Sequence, residues 1–314
     1  LTAKQVGKRI LQIVVVLFGI SFLTFSLMYL APGDPVRAMY ASAGSVPDDA
    51  VIEQTRKELG LDRPFLAQYG SWLAGVFRGD MGTSLALKKP VAAVMSARLW
   101  PTLKLALFSL FLVVVFSFPL GMLTAVHHNK AADYIVRFLT FIGNALPGFW
   151  VALILMYFFA LKLGWLPVMS TGTGFSDLVL PSVTLAVSMT AVYTRQVRAA
   201  VLEELHRGYV WGGRLRGLKK NNILWRHVLK NAMLPLVTLL GLSFGSLLGG
   251  TAVVEVIFSY PGLGSMAVQA VANRDYPLIQ GYVLWIALIY MVINLLVDIS
   301  YEYLNPGTKE RLRG

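Results

Sequence analysis

Residues 4–31 read KQVGKRILQIVVVLFGISFLTFSLMYLA. A basic start before an apolar stretch has the outline of a secretory signal. The stretch from Ile10 to Ala31, however, is longer than the ~7–15 residues of a signal's apolar region. At ~1.5 Å per residue it can cross the ~30 Å hydrocarbon core of a bilayer. The reading is a retained first transmembrane helix, which sets the fold class as all-α and polytopic.

Working outward, further apolar runs of about the ~20 residues a span requires lie near 102–126, 137–163, 179–197, 232–256 and 281–303. With the first, they predict six transmembrane helices. Pro119, Pro147 and Pro235 fall inside or at the start of these runs, which a membrane helix tolerates when neighbouring protein satisfies the freed carbonyls. Hydrophobic residues make up 56% of the chain and charged residues 14%, well under the ~25% charged of soluble domains. The net charge of +12 therefore reads as a topology signal and an attraction to anionic lipid, not as a nucleic-acid footprint. The absence of cysteine excludes disulfides, thiolate metal sites and cysteine nucleophiles.

Lys and Arg in the short connections set the orientation. With both termini cytoplasmic, seventeen bases lie inside and only Lys162 and Arg274 lie on short outer connections, as the positive-inside rule demands. The expected organisation is an N-terminal tail and first helix (1–31), one long extracytoplasmic loop subdomain (32–98), a five-helix permease core (99–304) and a cytoplasmic tail (305–314). Within the loop, VPDDAVIEQTRKELG (46–60) carries acids early, bases late and glycine at the stop, so it predicts a helix. RPFLAQYGSWLAGVFRGDMG (63–82) predicts a second, amphipathic one.

The most basic segment is RGYVWGGRLRGLKKNNILWRHVLKNAMLP (207–235), inside a cytoplasmic connection expected to run 198–232. Its first twenty-four residues carry seven Lys or Arg and no acid. At ~2.5–3.5 kcal/mol per charge near a helix centre, they cannot sit in hydrocarbon. Charge alone would make this an ordinary inner loop. Tyr209, Trp211, Gly212, Gly213, Gly217 and Leu218 add aromatics and apolar groups beside small residues that let another backbone approach. That combination points to a protein partner. Tyr209, Trp211 and Trp225 are too few stacking groups to support nucleic-acid binding.

This segment resembles the cytoplasmic EAA loop of permease subunits in binding-protein-dependent ABC importers, and more narrowly the dipeptide/oligopeptide/nickel family. Tyr209-Val210, Gly212-Gly213, Arg216-Gly217-Leu218, Arg226-His227, Asn231-Ala232 and Pro235 carry the resemblance. Trp211 stands where the general pattern has Glu, and Gly212-Gly213 replace an Ala pair. Further matches run along nearly the whole chain: LAPGDP (30–35), LGLDRP (59–64), QYGSWL (68–73), GDMGTS (79–84), PTLKLAL (101–107), LGWLP (163–167), EVIFSYPGLG (255–264), RDYPLIQG (274–281) and INLLVDISYEYLNP (293–306). The resemblance implies a bacterial-type inner-membrane subunit that pairs with a second permease, two cytosolic ATPases and an external solute-binding protein. It also implies that ATP-Mg binds the ATPases, with no cofactor or metal on this chain. The implied coupling residues are Tyr209, Trp211, Gly212, Gly213, Arg216, Gly217 and Leu218. The implied cargo is a short peptide or a nickel or metal chelate.

The chain has no phosphate-binding Gly-x-x-x-x-Gly-Lys-Ser/Thr loop, nucleophile elbow or His-Glu-x-x-His, so no enzymatic activity of its own is expected. Its four histidines (His127, His128, His206 and His227) all fall on expected cytoplasmic segments. A metal cargo would meet no imidazole from this chain on the outer or middle part of a route. Gly241, Gly245 and Gly249 recur on one helix face with Ser243 and Ser246 beside them. This face suits either a seam with a partner permease along the pathway or close packing within the chain. Glu255, at the outer end of the fifth span, reads equally as a residue facing a cavity or partner and as an anchor for the following turn. Two rival classes remain: an ion-coupled secondary transporter using Glu255 or Asp298, and an assembly subunit with no route of its own.

Overall fold

The computed structural model describes residues 3–42, 44–171 and 174–304, so the tail 305–314 lies outside them. In chain order the helices are α1 (Ala3–Leu30), α2 (Pro35–Ser42), α3 (Asp49–Glu58), α4 (Phe65–Phe77), α5 (Val91–Val126), α6 (Ala131–Ala145) and α7 (Gly148–Leu155). They continue with α8 (Phe175–Leu205), α9 (Gly208–Leu215), α10 (Lys220–Asn222), α11 (Leu229–Gly250), α12 (Ala252–Ile257), α13 (Leu263–Ala272) and α14 (Tyr276–Leu304). Met156–Lys162 and Ile223–Val228 are π-helical extensions. Among the described residues there is no strand, only an isolated bridge between Thr83 and Pro90.

Among the described residues four helices are long and apolar enough to span a bilayer, and the number is up to six if each of two bent pairs is one span. The third run, read from sequence as one span over 137–163, is broken. Ala131–Ala145 and Gly148–Lys162 meet at 101°. Pro147 lacks an N–H and crowds the carbonyl four residues back. Leu146 before it takes the extended ψ of 130° that a pre-proline residue prefers. Pro119 and Pro181, by contrast, lie within α5 and α8. A smaller bend of 46° separates Lys220–Met233 from Leu236–Gly250.

The chain divides into two compact units, residues 1–102 with 261–292, and residues 103–260 with 293–314. In the first unit α4 is attached to α1 through aromatic side chains. Phe22 and Phe25 meet Tyr69 edge-to-face at 5.3 and 5.4 Å, and Tyr29 meets Phe65 at 5.2 Å. Their spacing along α1, three or four residues apart, places them on one face. Ser21 and Tyr69 add a buried hydroxyl hydrogen bond of 2.9 Å. Much of the rest of α1, including Ile10, Leu11, Val14, Leu23 and Leu27, is exposed, as lipid-facing apolar residues should be.

The turns of this unit are held by two aspartates. Asp34 accepts the Val36 N–H at 2.9 Å, starting α2, and pairs with Arg56 of α3 at 2.7 Å. Asp275 is fully buried just before α14. It accepts the Ser84 hydroxyl at 2.5 Å, the Leu85 and Ala86 N–H groups at 3.1 Å each, and Leu278 N–H at 3.4 Å. The motifs GDMGTS and RDYPLIQG, nearly two hundred residues apart, thus meet at one carboxylate. Beside them Val91, Val94 and Met95 pack on Leu263, Met266 and Ala270 of α13 and on Leu278.

In the second unit α8 is central. A 31-residue helix is ~46 Å long, more than the ~30 Å that the hydrocarbon core requires of one crossing. Small residues bring other helices close to it. A Cβ on Gly121 would lie 2.5 Å from Val197, and one on Gly143 would lie 3.6 Å from both Ala191 and Val187. Arg198 binds both oxygens of the fully buried Asp133 of α6 at 2.8 Å each.

Asp275→Ala would leave four donors without their acceptor, at ~1–3 kcal/mol for a buried group left unsatisfied. We expect about 2–4 kcal/mol of destabilisation, and about 1 kcal/mol for Ser84→Ala. Heat denaturation of the two solubilised variants checks both the size and the order. Parental stability in Asp275→Ala would contradict the role assigned to this carboxylate.

Candidate functional site

The basic segment folds as a short helix set between the end of α8 and the start of α11. The helical backbone breaks at Arg207, which takes an extended ψ of 145° and whose side chain pairs with Glu203 at 3.0 Å and Glu204 at 3.4 Å. Glu204 also accepts the Tyr209 hydroxyl at 2.7 Å. Partial burial, and next this hydrogen bond to Glu204, push the Tyr209 phenol above its ordinary value of 10.0. Glu203, one turn before His206, is therefore engaged with Arg207, while His206 Nδ1 lies 2.6 Å from the Leu202 carbonyl.

α9 has two contrasting faces. Val210 is buried against Val197 and Val201 of α8 and Ile223, Leu224 and Val228 of the following π-helical stretch. Trp211, Leu215 and Leu218 are 60%, 87% and 45% exposed. The Arg214 guanidinium sits 5.4 Å from the Trp211 ring centre, an attraction between cation and ring face. α9 thus presents an apolar surface in a setting of arginines and lysines.

The three glycines of this segment do different things. Gly217 has φ +76°, a left-handed conformation that costs other residues ~1–2 kcal/mol. Its N–H bonds to the Arg214 carbonyl at 3.0 Å, and Leu218 N–H bonds to that of Gly213 at 3.1 Å, the paired bonds of a Schellman stop. A Cβ on Gly213 would meet Ile223 at 3.3 Å and Leu218 at 3.6 Å, whereas Gly212 has nothing within 4 Å. Gly217 ends the helix, Gly213 fits it to the chain, and Gly212 leaves its outer surface low.

The glycine face of α11 is mixed. Gly241 lies against Val297 of α14, and Ser243 is hydrogen-bonded to Tyr193 of α8 at 2.6 Å. Both serve packing inside the chain. Gly245 is buried, Gly249 is exposed with nothing within 4 Å, and the side chains of Ser246 and Asp298 lie outside those described.

Glu255 is fully buried and accepts the Thr251 hydroxyl at 3.1 Å. Its backbone carbonyl accepts Tyr260 N–H at 2.7 Å, closing α12 through Ser259 at φ +52°. Burial, then the carboxylates of Glu255 and Asp177, push the Tyr260 phenol up to about 12. Asp177 in turn accepts both the N–H and the hydroxyl of Thr171, at 2.9 and 2.5 Å. Ser170 donates its N–H to the Phe258 carbonyl at 2.9 Å and its hydroxyl to that of Asp177 at 2.8 Å. Sequence reasoning singled out Glu255 but missed Asp177. An acid in the first turn of a helix was the available signal.

Comparison with known proteins gives this geometry its family. The family described as "Binding-protein-dependent transport system inner membrane component" matches residues 117–310, and the N-terminal portion of such membrane components matches residues 3–106. The glutathione transport system permease protein GsiC of Pectobacterium atrosepticum is 39% identical over 302 residues, 96% of this chain and 97% of that one. GsiC of Escherichia coli K12 is 37% identical over the same shares. Among solved structures, the inward-facing MetNI methionine ABC transporter aligns with a TM-score of 0.56 at 21% identity, over 67% of this chain and 96% of that one. An amino acid ABC transporter solved with histidines aligns at 0.51 and 19%, over 68% and 94%; at such identities the likeness is one of fold. The chain belongs to the binding-protein-dependent ABC importer permeases of the peptide/nickel family, multi-pass inner-membrane subunits that transport rather than hydrolyse.

Proposed function

We propose that this permease forms half of an ATP-driven import pathway for short peptides of the glutathione class. The other half is a second permease, two cytosolic ATPases supply the drive with ATP-Mg, and a solute-binding protein delivers cargo outside. The relatives named for glutathione transport, similar over nearly the full chain, favour a peptide over a nickel or other metal chelate. Counting each bent pair as one crossing gives six spans and both termini on one side, and the excess of Lys and Arg on the short connections favours the cytoplasmic side. The 32–98 segment then faces the binding protein.

The observation that carries the coupling role is α9 itself. One face is anchored on α8 and the π-helical stretch before α11 through Val210, and the other offers Trp211 and Leu215 to solvent, with Leu218 exposed just beyond the helix end. Movement of a partner bound there would pass into both long helices through packed side chains. The basic residues around the patch keep it out of hydrocarbon, so its complement is a protein groove. The Glu255 carboxylate accepts the Thr251 hydroxyl one turn back in the chain, which favours a structural role over ion coupling at this residue.

Leu215→Asp should cut copurification of the ATPases and ATP-driven uptake at least tenfold, while changing the permease's own stability by no more than about 0.5 kcal/mol, as for an exposed position. Retained coupling would place the ATPase contact elsewhere. Glycine variants separate shape from docking. Gly217→Asn keeps a left-handed residue and should transport close to the parental rate, while Gly217→Val should not. A Cβ on Gly212 meets nothing within 4 Å, so Gly212→Leu should fold normally yet lose uptake. Uptake and melting measured on all three variants check this order, and full uptake by Gly212→Leu would mean that no partner approaches this face closely.

A further inference from the structure

We infer that the ends of α6 and α8 form a binding site for one anionic phospholipid. A pocket of about 590 Å³ is lined there by His128, Tyr134, Arg137, Arg195 and Arg198, with Phe138 and Phe141. Asp133 occupies Arg198 with two hydrogen bonds. Arg137 lies one turn further along α6, and Arg195 one turn back along α8. Both are exposed, and neither has a carboxylate ion-pair partner among the described residues. The Arg137 guanidinium is held 5.6 Å from the Tyr134 ring centre. Among the described residues the pocket thus gathers three arginines around the single carboxylate of Asp133.

The neighbouring surface tells what kind of anion fits. The face of α6 turned to the protein is buried and partly polar, with Asp133, Val136 and Thr140. Its opposite face is apolar, with Tyr134, Ile135, Phe138, Leu139 and Phe141 each more than half exposed. Apolar outside and polar inside is the arrangement for a helix against acyl chains. A free anion would use the arginines and ignore Phe138 and Phe141. A phospholipid uses both, its phosphate between Arg137 and Arg195 and its chains along the aromatic side, as basic pockets between membrane helices hold lipid headgroups.

The full chain, purified in mild detergent, is offered dioleoyl phosphatidylglycerol or dioleoyl phosphatidylcholine, and retained lipid is counted by native mass spectrometry. The phosphatidylglycerol should be retained at least tenfold above the phosphatidylcholine, and the Arg137→Gln/Arg195→Gln variant should lose that excess. In the unaltered chain the excess should fall as ionic strength rises from about 0.05 to 0.5 M, because exposed charges are screened; this arm needs no variant to fold. An excess surviving in the double variant, or indifferent to salt, overturns the site. Displacement of the lipid by an equal concentration of glycerol phosphate overturns the lipid as its ligand and assigns a soluble anion.

Discussion

Both oxygens of Asp133 are met by Arg198 at 2.8 Å, and the carboxylate has no exposed surface. Charge left unpaired in a low-dielectric surrounding is expensive, so every buried carboxylate must bring its own donors. Asp177 and Asp275 obey the same constraint, and both stand at the start of a helix with loop N–H and hydroxyl groups gathered around them. Each thereby fixes a turn that hydrophobic packing could not fix. Lipid offers helices little reason to prefer protein over its own chains, so the helices meet through small residues such as Gly121 and Gly143, and these polar ties set where they meet.

The same constraint gives α9 its meaning. In the membrane, exposed apolar residues need no explanation, as along α1 and the outer side of α6. Trp211, Leu215 and Leu218 are exposed where Arg207, Arg214, Arg216 and Lys219 exclude hydrocarbon. In the proposed coupling role, this apolar patch among cations, fastened underneath by the buried Val210, would transmit a push. Burial of Val210 beside Val197 and Val201 makes α9 an extension of the α8 core rather than a free loop.

Much of this was legible in the sequence. The apolar runs located the long helices, the glycine in VPDDAVIEQTRKELG marked the end of α3, and the basic segment marked the stretch that holds α9. Local chemistry writes those features. Other features depend on partners distant in the chain. Ser84 and Asp275, or Asp133 and Arg198, give no sign alone that they will meet. Prolines show the limit most clearly: Pro119 and Pro181 ride inside helices while Pro147 breaks one, and only the surrounding packing decides. Gly217 and Gly212 looked alike in sequence, and only the positive φ of Gly217 shows that it also ends α9. The glycines of α11 divided likewise, Gly241 turning to Val297 and Gly249 to open space.

The absence of cysteine makes the chain a clean background for the most direct measurement. A single thiol introduced by Leu215→Cys, with Leu66→Cys in the 32–98 segment as a reference, is labelled with a water-soluble maleimide before and after the cognate ATPases are added. Leu215 and Leu66 are both more than two-thirds exposed in the chain alone, so both should label at first. The coupling role of α9 predicts at least a tenfold loss of labelling at position 215 and none at position 66. Unchanged labelling at position 215, with the ATPases shown to be bound, would contradict it.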